Sequence, residues 1–137
     1  MYLLDTNVVV ALLRNQPSGV RERLRRAKGE GSAIAVSSVA LFELWYGVAR
    51  SQHREDNAER LRLFLSGDIA AVQFDEQDAP IAGELRRALE AAGTPIGAYD
   101  LLIAAQALRT RATLVKANVA EFARVQGLAW EDWTAPA

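Results

Sequence analysis

Tyr2-Leu3-Leu4 is an uninterrupted apolar run that stops at Asp5, and it reads as a short buried strand. Apolar residues then recur at helical spacing from Asn7 to Leu13, ahead of a break at Pro17. Gly19 to Lys28 reads as a second helix, closed by Gly29 and Gly31. Ala33 to Val36 is another apolar run, with Ser37 or Ser38 as N-cap of a helix lasting to about Gln52. Arg54 to Leu65 is helical, its apolar side carrying Leu61, Phe64 and Leu65, and Ser66-Gly67 ends it. Ile69 to Phe74 reads as a third strand. Asp75 and Asp78 precede a helix that starts at Pro80 and lasts to Ala92, their charges complementing its N-terminus. Gly93-Thr94-Pro95 breaks the chain before a very apolar helix from about Ala98 to Arg109. Ala112 to Val115 is a fourth strand and Leu128 to Trp130 a fifth.

Short apolar strands alternating with helices predict a parallel sheet covered on both faces, an α/β fold. In such folds ligands sit beyond the carboxyl ends of strands. With 137 residues and no linker or repeat, a single domain over 1–137 is expected. The absence of cysteine removes thiol catalysis, disulfides and zinc–thiolate sites. Met1 to Leu13 lacks a basic leader and carries Asp5 and Asn7, unlike a secretory signal, and no stretch approaches a membrane span. The expected location is cytoplasmic, with no membrane association.

A net charge of −1 argues against a broadly basic nucleic-acid coat. The charge is unevenly placed. Arg14, Arg21, Arg23, Arg25, Arg26 and Lys28 face one acid, Glu22, a net of +5 in fifteen residues. This stretch is either a solvated helix face or a patch that meets phosphates or an acidic partner.

Three acids stand in apolar company. Asp5 is the only charged residue among the first thirteen, Glu43 the only one from Val39 to Ala49, and Asp100 the only one from Pro95 to Ala105. A carboxylate taken out of water without a partner is costly, so three in one small domain are tolerable if they converge on a cation. Asp5 has an ordinary alternative as cap of the first helix, and Asp100 as a charge near a helix start. Glu43, more than a turn inside its helix, has less of one. With no histidine or cysteine beside them the ligands would all be oxygen, which suits Mg²⁺ or Mn²⁺. Such an ion can activate water and neutralise charge on a phosphodiester, so phosphodiester hydrolysis is the natural chemistry.

Together the segments Leu3-Leu4-Asp5-Thr6-Asn7, Ser37-Ser38-Val39 leading to Glu43-Leu44-Trp45-Tyr46-Gly47, Gly97-Ala98-Tyr99-Asp100-Leu101-Leu102-Ile103-Ala104-Ala105, and Asn118-Val119-Ala120-Glu121-Phe122 resemble the PIN-domain motifs. The wording is most similar to the VapC toxins of bacterial and archaeal toxin–antitoxin pairs. The resemblance implies a three-layer PIN-like domain with a parallel sheet of order 3-2-1-4-5, bringing Asp5 and Asn118 to the switch-point crevice. It also implies that Asp5, Glu43 and Asp100 hold one or two metals, Mg²⁺ or Mn²⁺, with Asn118 acting through a metal-bound water and Thr6 a hydroxyl near the substrate. The implied activity is endoribonuclease cleavage of structured RNA such as tRNA. The implied partners are a VapB-type antitoxin and a second copy in a homodimer.

Two positions depart from the family pattern. Lys116-Ala117-Asn118 stands where Thr or Ser usually lies two residues before the closing Asn or Asp, and Ala98 where Pro is frequent. Lys116 begins near the carboxylates and is expected to act as a tethered counter-cation that weakens metal binding. It also motivates an alternative, a catalytically weakened PIN domain serving as an RNA- or protein-binding module. A phosphoacceptor domain with Asp5 as nucleophile is a third reading, opposed by Thr6 and Asn7 and by the helical placement of Glu43 and Asp100. An antitoxin segment is expected in a groove formed by the basic stretch and the apolar residues near Leu61 and Phe64. His53 is expected on a solvated helix end, Trp45 and Tyr46 in the core, and Glu121 only at the start of a short helix. Trp130 and Trp133 are open between the sheet edge and a partner.

Overall fold

The computed structural model describes residues 1–117 and 120–135. Five strands, β1 (Tyr2–Leu4), β2 (Ile34–Ser37), β3 (Ile69–Val72), β4 (Thr113–Val115) and β5 (Trp130–Glu131), form one sheet of order β3-β2-β1-β4-β5. Every neighbouring pair is parallel. The helices are α1 (Thr6–Arg14), α2 (Gly19–Gly29), α3 (Ser38–Ala49), α4 (Arg54–Leu65), α5 (Asp78–Ala91) and α6 (Ala98–Thr110), followed by a 3₁₀ turn at Phe122–Arg124. All four residues of β2 are buried, and because successive side chains point to opposite faces, helices must cover both sides of the sheet. The main core gathers Leu3, Leu4, Val8, Val36, Leu61, Ile103, Leu114 and Phe122. A smaller cluster of Leu89, Leu101 and Val125 joins α5 and α6 to the chain after β4.

The expected elements are present, with shifted ends that side-chain hydrogen bonds explain. The third strand stops at Val72 rather than Phe74, where the Phe74 N–H donates to the Ser38 hydroxyl at 3.1 Å. The third helix ends at Ala49, and the Ser51 hydroxyl donates back to the Val48 carbonyl at 2.8 Å. Helix α5 starts at Asp78, two residues before the expected Pro80. Proline costs nothing there, since first-turn N–H groups have no partner within the helix. Asp78 itself is fully buried, and Arg109 of α6 pairs with its carboxylate. Trp133 is buried with its ring 5.4 Å from that of Tyr2, whereas Trp130 is partly exposed. His53 is exposed at the start of α4, as expected.

Candidate active site

The reversal of strand order between β1 and β4 opens a crevice at their carboxyl ends. Leu4 pairs with Val115, and the Asp5 N–H donates to the Val115 carbonyl at 3.0 Å. Asp5 and Lys116 are thus the next residues along two adjacent parallel strands. The Lys116 N–H donates to Glu131 of β5 at 3.0 Å, which holds its backbone in line with the sheet. On the other side of Asp5 the register continues to Ser37, the last residue of β2.

Asp5 occupies the N-cap position of α1 but makes no side-chain cap bond. The capping explanation for this acid is therefore not what the geometry displays. Its carboxylate is buried and faces the crevice, where Oδ2 accepts from Lys116 Nζ at 3.0 Å. The same ammonium donates to Asp100 Oδ1 at 3.2 Å. Lys116 is only 6% exposed, and Nζ lies 4.7 Å from the centre of the buried Phe122 ring. Burial pushes the ammonium pKa down, but the charges and hydrogen bonds of Asp5 and Asp100 outweigh it and the net direction is up. The side chain is a cation at any physiological pH.

Asp100 lies in the first turn of α6, and the position of that helix is set two turns later by Gln106. Gln106 is fully buried. Its amide oxygen accepts from the Ser37 hydroxyl, and its amide nitrogen donates to the Val72 carbonyl at 3.0 Å. One side chain thereby ties the helix of Asp100 to the ends of β2 and β3. Ser37 also accepts from the Val39 N–H at 3.0 Å, capping α3 and orienting the helix that carries Glu43. Sequence reasoning missed Gln106. The available signal was a polar residue alone in the apolar stretch after Asp100.

Glu43 is half-buried, and its Oε1 accepts from the Thr6 hydroxyl at 2.8 Å. Burial raises its pKa, the Thr6 bond opposes the rise, Asp5 and Asp100 add to it, and Lys116 counters. Glu43 therefore holds a proton more readily than an ordinary glutamate. Asn118, expected to complete the site, lies outside the described residues.

The donor set suits a hard cation in kind. It is all oxygen, and Asp5 Oδ1 is buried with no hydrogen-bond partner among the described residues. Yet among the described residues no three such groups enclose a ready-made ion site. The geometry says why. Lys116 stands between Asp5 and Asp100, and Glu43 is turned to Thr6.

Thr6 and Glu43 also line a cleft of about 710 Å³ between α1, α3 and α4. Arg14, Arg50, Arg60, Leu61, Phe42, Tyr46 and Tyr99 are among its other walls. Tyr46 is 58% exposed with the Arg50 guanidinium 5.4 Å from its ring centre, so it is not a core residue as expected. The groove expected from the basic stretch with Leu61 and Phe64 is not formed as such. Leu61 lines the cleft but Phe64 does not, and Arg14 is its only contributor from the basic stretch. Arg21 and Arg23 instead donate to backbone carbonyls of Leu12 and Asp132.

The model of the family described as "PIN domain" matches residues 2–128. This chain belongs to the PIN-domain family. Among PIN-domain relatives, Ribonuclease VapC2 of Rickettsia felis is 39% identical over 133 residues, covering 97% of this chain and 98% of the relative. The tRNA(fMet)-specific endonuclease VapC of Shigella flexneri is 37% identical with the same coverage. Among solved structures, VapBC2 from Rickettsia felis bound to a DNA fragment from its promoter superposes with a TM-score of 0.90, at 39% identity, covering 96% of this chain and 98% of that one. FitAcB from Neisseria gonorrhoeae superposes with a TM-score of 0.81 at 30% identity, covering 97% and 98%. The PIN fold, with its strand order 3-2-1-4-5, is the one expected from the motifs.

Proposed function

We propose that this PIN domain is a Mg²⁺- or Mn²⁺-dependent endoribonuclease that acts as the toxin of a toxin–antitoxin pair. The observation that carries the reading is the meeting of Asp5 and Asp100 at the β1/β4 crevice, with Glu43 beside them across Thr6. Asp5, Asp100 and Glu43 would hold the metal. When bound, the ion supplies charge neutralisation at a phosphodiester and an activated water. The residues of the chain do the rest. Glu43, half-buried and bonded to the Thr6 hydroxyl, would offer the ion its ionised carboxylate. Thr6 keeps the Glu43 carboxylate directed. Asn118 is carried over from the motif alone. The alternative of a weakened binding module is not favoured, because the relatives are named as ribonucleases and endonucleases.

Structured RNA such as tRNA is the proposed substrate, supported by the name of the Shigella flexneri relative. A VapB-type antitoxin is the proposed partner, supported by the VapBC complexes among the structural neighbours. Its segment would lie in the cleft of α1, α3 and α4. A homodimer rests on the family resemblance. The purified chain should cleave a tRNA substrate in Mn²⁺, and Asp100→Asn should lose roughly a hundredfold or more of that rate. Cleavage at the parent rate by Asp100→Asn, or none by the parent, would sink the proposal.

A further inference from the structure

We propose that Lys116 is the resident cation of this site, an ammonium that a divalent ion must displace before it can engage Asp5 and Asp100 together. The inference rests on reading the crevice as a metal site and deepens that reading. Three observations carry it. The β1/β4 register sets Lys116 directly beside Asp5, so the contact follows from the sheet. The ammonium bridges the two acids, at 3.0 Å from Asp5 Oδ2 and 3.2 Å from Asp100 Oδ1, and is almost wholly buried. Asp5 Oδ1 remains buried and without a partner among the described residues, so one cation has not exhausted what this pair can bind.

A Mg²⁺ or Mn²⁺ ion draws carboxylate oxygens to about 2.1 Å and brings two charges into the space. The ammonium cannot keep both its partners while those oxygens serve the ion. Its flexible four-carbon stem provides the exit, because a lysine can swing its charge toward water where a shorter side chain could not. The consequence is a protein whose acids are compensated without metal. Metal binding is weakened by the cost of moving a buried charge.

Lysine chemistry makes the displacement visible in the unaltered protein. The chain has only two lysines, Lys116 and the exposed Lys28, which serves as an internal reference. An amine-acylating reagent, with peptide mass spectrometry as readout, should modify Lys116 slowly in EDTA. In Mn²⁺ at a concentration that calorimetry finds saturating, the Lys116 rate should rise about tenfold or more relative to Lys28. Lys116→Met keeps the stem beside Phe122 and removes the charge. It should bind Mn²⁺ about tenfold or more tightly than the parent, and Mn²⁺ should raise its melting temperature by more. Metal binding by Lys116→Met where the parent shows none would be the extreme form of the expected result. Equal affinities, no binding by either protein, or a Lys116 acylation rate unmoved by saturating Mn²⁺ would overturn the proposal. RNA cleavage, measured alongside, separates the two claims. Tighter binding by Lys116→Met with no cleavage by either protein refutes the nuclease reading and leaves the displacement standing.

Discussion

Replacing Gln106 with Leu tests whether the site is assembled from behind. The amide of Gln106 joins the Ser37 hydroxyl to the Val72 carbonyl, with Gln106 and Ser37 both fully buried. Leucine fills much the same volume and makes neither bond. The Ser37 hydroxyl keeps its bond from Val39 as an acceptor but has nowhere to donate, a loss of about 1–3 kcal/mol. Val72 is half-buried, so water can serve its carbonyl in part, and about 1 kcal/mol is a fair charge for it. The sum is roughly 2–4 kcal/mol, which for a chain of this size lowers the melting temperature by about 8–16 °C. Adding Ser37→Ala should recover most of the hydroxyl's part, since both partners are then gone. It should also cost about 1 kcal/mol from the lost cap of α3. Thermal melts of the two single variants and the double variant, in EDTA, give the cycle. RNA cleavage below the melting range should fall in Gln106→Leu, because α6 carries Asp100. A melting temperature within about 2 °C of the parent would rule out this role for Gln106. It would mean that the amide is spectator to two groups satisfied in other ways.

Two further outcomes follow from buried charge. Burial raises the Glu43 pKa, so the folded state holds this proton more tightly than the unfolded chain does. The stability it contributes is complete below the ordinary value of 4.5 and is lost as pH rises through the raised folded value. Glu43→Gln removes that loss, so in EDTA its melting temperature minus that of the parent should climb from about pH 4.5 toward neutrality. A difference independent of pH would show that Glu43 titrates normally. At the other end of α6, Arg109→Leu leaves the buried carboxylate of Asp78 with only the Asp75 N–H as donor, and should destabilise more than the double variant with Asp78→Leu, by chemical denaturation. If the double variant is the weaker of the two, the pair is not a desolvated unit.

Much of the fold was legible because strand and helix periods are local properties. Tyr2–Leu4 and Ile34–Ser37 are short, apolar and followed by polar caps, and the sheet uses them where the pattern put them. What the pattern could not supply was where each element stops. The end of β3 is set by a distant hydroxyl, Ser38 accepting from the Phe74 N–H, and that of α3 by the Ser51 hydroxyl folding back to donate to the Val48 carbonyl. Asp78 illustrates the same limit in energetic terms. It does stand in the first turn of α5, as read from sequence, but nothing local shows that its carboxylate is buried against Arg109, thirty-one residues away. Gln106 and Ser37 likewise make sense only as a pair, and they lie 69 residues apart.

The acids were legible for a different reason. An isolated carboxylate in an apolar segment is expensive wherever the chain goes, so its presence is information even before the fold is known. Asp5, Glu43 and Asp100 stand out in this way, and Lys116 stands out as a cation in a place where the motif usually has a hydroxyl. Parallel pairing of β1 with β4 gives the expected cation its place, because Leu4 opposite Val115 makes Asp5 the neighbour of Lys116. An acid pair carrying its own ammonium has its charge compensated without a metal. In the proposed reaction the metal would then be needed only for chemistry, since an ammonium neutralises charge but cannot activate a bound water as a divalent ion can. Under the proposed function, activity would follow how far the ion outcompetes Lys116 for the same two carboxylates.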